Sequence, residues 1–185
     1  SGRYMNIVNR FVTKGIALYG LDQIGHGKSE GTRGYVRKFE DFTETLQIFV
    51  RLVRNNQVGK PLFILGYSMG GLITSIYLID NQKEFAGAII IGPAIEIPET
   101  NRFKIFLFKI LSAILPKAGF LSFEDEGISR DLAVVEAYKN DPLAYRGKMT
   151  VRLAEGCLDA TIRLSKEGNK ITLPVLLLQG AADRL

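Results

Sequence analysis

Residues 62 to 81 read LFILGYSMGGLITSIYLIDN: an apolar run of strand length stops at Gly66, presents one serine, Ser68, and restarts as a long apolar segment after Gly70 and Gly71. No other pattern in the chain restricts its fold as much. A buried strand that becomes a buried helix within so few residues demands an abrupt reversal of the backbone. Near-continuous apolar strands of this kind belong to parallel sheets covered by helices.

The rest of the chain repeats the alternation. A helix is predicted over about residues 3–13, with Tyr4, Ile7, Val8 and Phe11 at helical spacing and Gly15 past its end, followed by a strand at 16–22, IALYGLD. After a polar loop through Ser29 and Gly31, the stripe Phe42, Leu46, Phe49, Val50 and Val53 predicts a helix on the sheet over about 40–55. Strands follow at 62–66, 86–92 and 173–180, with a helix from residue 69 between the first two. About eighty residues separate the last two strands, too many for an ordinary crossover, so an inserted helical segment is expected there. Its opening, NRFKIFLFKILSAILPKAGF, is apolar around most of its circumference, and Pro116 ends it. The expected class is α/β: a mostly parallel sheet, helices on both faces, and a helical insertion.

Composition removes several classes of function. With 185 residues, 46% of them apolar, the chain is long enough for one compact domain. The net charge is +5, but Lys and Arg are scattered without the aromatic interleaving that grips nucleic acid, so a nucleic-acid partner is not expected. A diffuse attraction to anionic membrane surfaces remains open. One cysteine, Cys157, has no partner for a disulfide, and no Cys and His cluster stands ready for zinc, so no metal is expected. The glycine-rich segments lack the phosphate-cradling GxxxxGK[ST] pattern, and no cofactor is expected. There is neither a membrane-span run nor a signal-peptide pattern, and a cytoplasmic protein fits best, one that stays peripheral to any membrane. The chain begins without methionine and stops at ADRL directly after an apolar run, which reads as truncation at both ends.

Gly66-Tyr67-Ser68-Met69-Gly70 falls between a predicted strand and a predicted helix, the setting of a nucleophile elbow. Gly66 and Gly70 would supply the missing Cβ atoms that clash in so sharp a turn. Ser68 is then raised at a helix N-terminus, and the Met69 N–H points where the helix dipole favours an oxyanion. The plain alternative is a strand-to-helix turn with a serine N-cap. A serine nucleophile needs a base, and the only histidine is His26 in DQIGHGKSEG. Flanked by Gly25 and Gly27, it reads as a loop-fixing residue bonded to backbone, braced by Asp22, although histidine precedes serine in some hydrolases.

GLDQIGHGKSEG, LGYSMGG, AGAIIIGPA, NDPL and PVLLLQGAADRL, in that order, resemble the monoacylglycerol lipase and lysophospholipase group of α/β-hydrolases over the whole chain. The resemblance implies that Ser68 is the nucleophile, that Met69 N–H is one oxyanion donor, and that Asp183, after the last strand, is the acid orienting the base. Asp131, Asp141 and Asp159 lie in or beside the insertion, where aspartates are usually caps or solvated charges. The triad order of the fold is serine, acid, histidine, which puts the base beyond Leu185, and it puts a His-Gly oxyanion loop and a central strand ahead of Ser1. The expected organisation is a hydrolase core over 1–96, a helical cap over 97–150 that roofs the serine, and a second core part over 151–185.

The apolar face of the cap, Phe103 to Leu111, implies a small-molecule lipid ester as substrate, monoacylglycerol or lysophospholipid, and transient membrane-surface contact through the cap. Two alternatives stay open: a serine aminopeptidase or other carboxylesterase on the same elbow, and a non-catalytic hydrolase-like binding module. The oligomeric state is unknown from sequence. Cys157 reads as a packing residue, because no basic neighbour is apparent to activate it.

Overall fold

A computed structural model describes residues 4–95, 101–122, 127–181 and 183. Six helices and five strands follow in chain order among them: α1 (Met5–Val12), α2 (Glu40–Asn56), β1 (Phe63–Tyr67), α3 (Met69–Asn81), β2 (Gly87–Ile91), α4 (Arg102–Ile114), β3 (Gly119–Leu121), α5 (Leu132–Lys139), β4 (Met149–Thr150), α6 (Val151–Glu167) and β5 (Val175–Leu178). Strands β1, β2 and β5 form one parallel sheet in the order β1-β2-β5. Their register is level, with Leu65 opposite Ile89 opposite Leu176, and Tyr67 opposite Ile91 opposite Leu178. The loops leaving Tyr67, Ile91 and Leu178 therefore emerge along one carboxyl edge, where α/β sheets carry their functional groups.

Helix α3 is apolar all round because it is covered all round. Residues Gly71 to Ile79 are buried, with β1 and β2 on one side and α2 and α6 on others. Helix α2 presents Phe42, Leu46, Val50 and Val53 to this core, as its spacing predicts, and places Glu40 and Asp41 in its first turn and Arg54 in its last, each favourable to the helix dipole. Helix α6 buries Val151, Leu153, Ala160 and Thr161. Its Thr150 cap accepts a hydrogen bond from Leu153 N and donates one to Gly34 O at 2.8 Å, so the start of α6 is pinned to the loop before α2.

Helix α3 lies on the face of the sheet that carries Ile64, Gly66, Ala88 and Ile90, with α2 and α6 packed against it. The opposite face carries Phe63, Leu65 and Tyr67, all exposed among the described residues; Phe63 stands at 65%.

The strand expected at 16–22 does not form. Residues 16–20 are exposed and join no ladder, because no described strand lies beside them and a strand exists only by pairing. An apolar run gave the segment a strand pattern, but its middle is tied to the body by a side chain, Gln57 Nε2 donating to Tyr19 OH at 2.8 Å.

The insertion between β2 and β5 is helical, as expected, and contains α4, α5 and α6. It also holds a short antiparallel pair, β3 with β4, that the sequence did not announce. The expected junction at 96/97 lies outside the described residues. Helix α4 docks on α6 through a mixed face that carries Lys109 and Ser112 beside Ile105 and Phe108. Ser112 is fully buried and donates to Glu155 Oε2 at 2.7 Å. Arg152 donates to that carboxylate at 3.1 Å and to Ser112 O at 2.9 Å, and Lys109 pairs with Asp159 at 2.8 Å. Apolar residues of α4 thus face both ways: Phe108 packs on Phe120 with ring centroids 4.8 Å apart, while Phe103, Phe106, Leu107, Ile110 and Ile114 are exposed.

Candidate active site

Ser68 joins β1 to α3 with φ 52° and ψ −124°, and it is the only non-glycine residue with positive φ among the described residues. An L-residue adopts this region only when its surroundings over-determine it, at a cost of roughly 1–3 kcal/mol. The surroundings are explicit. Ser68 N donates to Ile91 O at 3.0 Å, while Ser68 O accepts from Gly71 N at 2.8 Å, Leu72 N at 3.2 Å and Ala94 N at 3.3 Å. Four backbone bonds clamp one residue between the end of β2 and the first turn of α3.

The N-cap alternative does not survive this geometry. A capping serine has extended backbone angles and accepts from the helix N–H groups with its hydroxyl. Ser68 has neither feature: its side chain makes no cap hydrogen bond, and the residue is exposed. Met69 is the first residue of α3, and its N–H has no backbone acceptor among the described residues, as the first N–H groups of a helix do not.

The elbow needs glycines, but not the pair expected. A Cβ on Gly66 would lie 2.5 Å from Gly70 O, 2.7 Å from Thr74 Oγ1 and 2.8 Å from Gly71 Cα, so only glycine fits there. At Gly70, by contrast, an added Cβ meets nothing within 4 Å among the described residues. Gly71 has the second tight approach, with Pro93 Cβ at 3.0 Å and Pro93 Cα at 3.1 Å. The motif's final glycine therefore faces open space, and its neighbour admits the chain that leaves β2.

Asp183 lies past β5, at the same carboxyl edge as Ser68. Its N–H donates to Gly180 O at 3.1 Å, and its Oδ2 accepts from Gln179 Nε2 at 3.1 Å. Oδ2 also comes within 3.4 Å of the point where a Cβ on Gly92 would sit; Gly92 follows β2 with φ +45°. Since Ser68 N is bonded to Ile91 O, the carboxylate and the serine flank the end of the same strand. Gly71, Gly92 and Gln179 were not singled out in the sequence. The available signals were a doubled glycine at a helix start, a glycine closing an apolar strand, and an amide beside a strand end.

The rival aspartates are accounted for as expected. Asp131 caps α5 by accepting from Ala133 N at 2.9 Å, Asp141 accepts from Leu143 N at 2.9 Å in a local turn, and Asp159 pairs with Lys109. His26 Nδ1 lies 3.0 Å from Ile24 O, and its ring packs near Phe42. Asp22 Oδ2 accepts from Lys28 N at 2.9 Å, and its carboxyl fills the place of any Cβ on Gly27, so this loop is built around Asp22. Cys157 packs against the core, and burial pushes its thiol up to about 12, which keeps it protonated and unreactive near neutral pH. Among the described residues no His, Cys, Asp and Glu group is arranged to hold a metal, and no helix is long and apolar enough to cross a membrane.

The chain is similar to known proteins along its whole length. Human monoglyceride lipase is 34% identical, covering 100% of this chain and 62% of that protein. Monoacylglycerol lipase of Mycolicibacterium smegmatis is 30% identical, covering 100% of this chain and 66% of that one. The crystal structure of Paleococcus ferrophilus monoacylglycerol lipase superposes with a TM-score of 0.83 at 31% identity, covering 98% of this chain and 69% of that one. The chain thus spans less than two thirds of the length of these two curated relatives. The family described as serine aminopeptidase, S33 matches residues 1–185, and with the strand-elbow-helix unit at Ser68 and the α/β-hydrolase architecture already in place, this chain belongs to that family.

Proposed function

We propose that the full-length protein is a serine hydrolase that cleaves carboxylic esters of lipids, monoacylglycerols or lysophospholipids, with Ser68 as nucleophile, Asp183 as the acid of the triad and Met69 N–H as an oxyanion donor. The observation that carries this proposal is the left-handed backbone of Ser68, held by four main-chain bonds while its hydroxyl caps nothing. Ser68 Oγ attacks the ester carbonyl, and a histidine following Asp183 in the full-length protein takes the hydroxyl proton and returns it to the leaving alcohol. The carbonyl oxygen gains negative charge in front of the α3 N-terminus, where Met69 N–H and the helix dipole favour it. Water then hydrolyses the acyl-enzyme by the same proton path. In this proposal residues 1–96 and 151–185 form the catalytic core, and 97–150 the cap.

A panel of monoacylglycerols, lysophospholipids and aminoacyl amides tests the substrate class. Hydrolysis of the monoesters with fluorophosphonate labelling of Ser68 is expected. Preferred cleavage of the amides would move the protein to the aminopeptidase branch, and labelling of neither wild type nor any variant would leave a non-catalytic binding module.

Helix α4 supports a lipid substrate through the apolar stripe it leaves exposed. Phe103, Phe106, Leu107, Ile110 and Ile114 form one stripe at helical spacing on the side away from α6. Phe103 is 64% exposed and Ile114 70%. Arg102 and Lys104 stand beside the stripe and make no ion pair among the described residues. An apolar crest edged by cations suits the boundary between anionic headgroups and acyl chains. Phe103→Ser with Phe106→Ser is expected to weaken sedimentation with phosphatidylcholine–phosphatidylserine vesicles by about tenfold or more, with hydrolysis of a short water-soluble ester unchanged. Equal sedimentation of wild type and variant would remove α4 from the membrane contact.

A further inference from the structure

Gln179 is the first residue after β5, and its side-chain amide donates to Asp183 Oδ2 at 3.1 Å. The aspartate is folded back onto that strand end by its own N–H, which donates to Gly180 O. Oδ2 also comes within 3.4 Å, a contact distance, of where a Cβ on Gly92 would stand. One carboxylate oxygen is therefore held by the amide just after β5 and lies close to the glycine that follows β2.

We infer that Gln179 is a positioning residue for the acid of the triad, acting through Asp183 without touching substrate. This rests on the proposed role of Asp183. An aspartate that orients a histidine must keep both its direction and its charge through the reaction, because the imidazolium it stabilises forms only transiently. A hydrogen bond to one oxygen restricts rotation of the carboxylate. The neutrality of the amide matters as well. A lysine or arginine at 179 would hold the carboxylate equally well, but its charge would oppose the imidazolium. Glutamine donates without adding charge, and the turn closed by Asp183 N donating to Gly180 O keeps the carboxylate within its reach.

The test uses the full-length protein, with kcat, KM, pH profile and melting temperature for Gln179→Leu, Gln179→Glu and Asp183→Asn. Gln179→Leu is expected to lower kcat by about tenfold with KM little changed, the signature of an interaction expressed in the transition state alone. Gln179→Glu puts a second negative charge beside the acid. Negative charge raises the pKa of a nearby histidine, so the acidic limb of kcat/KM should move to higher pH by about half a unit or more. A merely structural glutamine would lower the melting temperature and leave that limb in place, which would overturn the inference. So would a normal kcat and pH limb in both Gln179 variants while Asp183→Asn is inactive. Full activity of Asp183→Asn would overturn the role of Asp183 itself, and with it that of Gln179, whereas loss in all three variants with the limb displaced in Gln179→Glu supports both.

Discussion

Ser68→Ala in the full-length protein is expected to lower kcat on a lipid monoester by about five to six orders of magnitude, the loss seen when a triad nucleophile is removed from comparable serine hydrolases. It should do so without unfolding anything. The Ser68 hydroxyl caps no helix, so its removal forfeits no cap bond, and the four main-chain bonds that hold the residue remain available to alanine. The expected pair of results is therefore a melting temperature within a few degrees of wild type and complete loss of fluorophosphonate labelling. Ser68→Gly sharpens the separation. Glycine relieves the strain at φ 52°, so this variant should melt at or above the wild-type temperature and be equally inactive. Hydrolysis that persists in either variant would mean that the nucleophile lies elsewhere.

The same serine shows how far the sequence could be read. An apolar strand, a Gly-x-Ser-x-Gly turn and an apolar helix are consecutive in the chain, so β1, the elbow and α3 were all legible from local pattern. The stripe on α2 was legible for the same reason. What depends on a neighbour distant in sequence was not. Residues 16–22 have strand composition, yet a ladder needs a second strand, and composition does not supply one. Helix α6 was not singled out in the sequence, although Leu153, Cys157, Ala160 and Leu164 recur at helical spacing on the core side, opposite the stripe Arg152, Glu155 and Asp159 that meets α4. Strands β3 and β4 are too short to leave a pattern. At the site, Asp183 could be picked out by its place after a strand and its Gln179 bond is local, four residues apart, but the approach of Gly92 comes from the parallel pairing of β2 with β5. The Gly70 expectation failed because a motif names a residue type, whereas the clash depends on which way the Cα–H points.

That distinction gives the second large effect. Gly66→Ala is expected to destabilise the protein by about 3 kcal/mol or more and to inactivate whatever fraction still folds. The added methyl would meet Gly70 O at 2.5 Å and Gly71 Cα at 2.8 Å, and both are backbone atoms of the first turn of α3. A flexible side chain could swing aside, but this turn cannot, since Gly71 N and Leu72 N are committed to Ser68 O and Gly71 itself rests against Pro93. Relief would have to come from moving α3 away from β1, which would break the clamp that holds Ser68 in its left-handed conformation and open the most deeply buried layer of the core, Leu72 and Ile73. Stability and nucleophile geometry should fail together. Gly70→Ala is the control that makes the result specific. It adds the same methyl four residues along the same motif, into a helical position where nothing described lies within 4 Å, and alanine is the better helix former by up to about 1 kcal/mol. Denaturant melts of the two variants should therefore diverge, with Gly70→Ala at or above wild type and Gly66→Ala far below it. Equal destabilisation of both would show that the tight approach at the elbow is not the one between β1 and the start of α3.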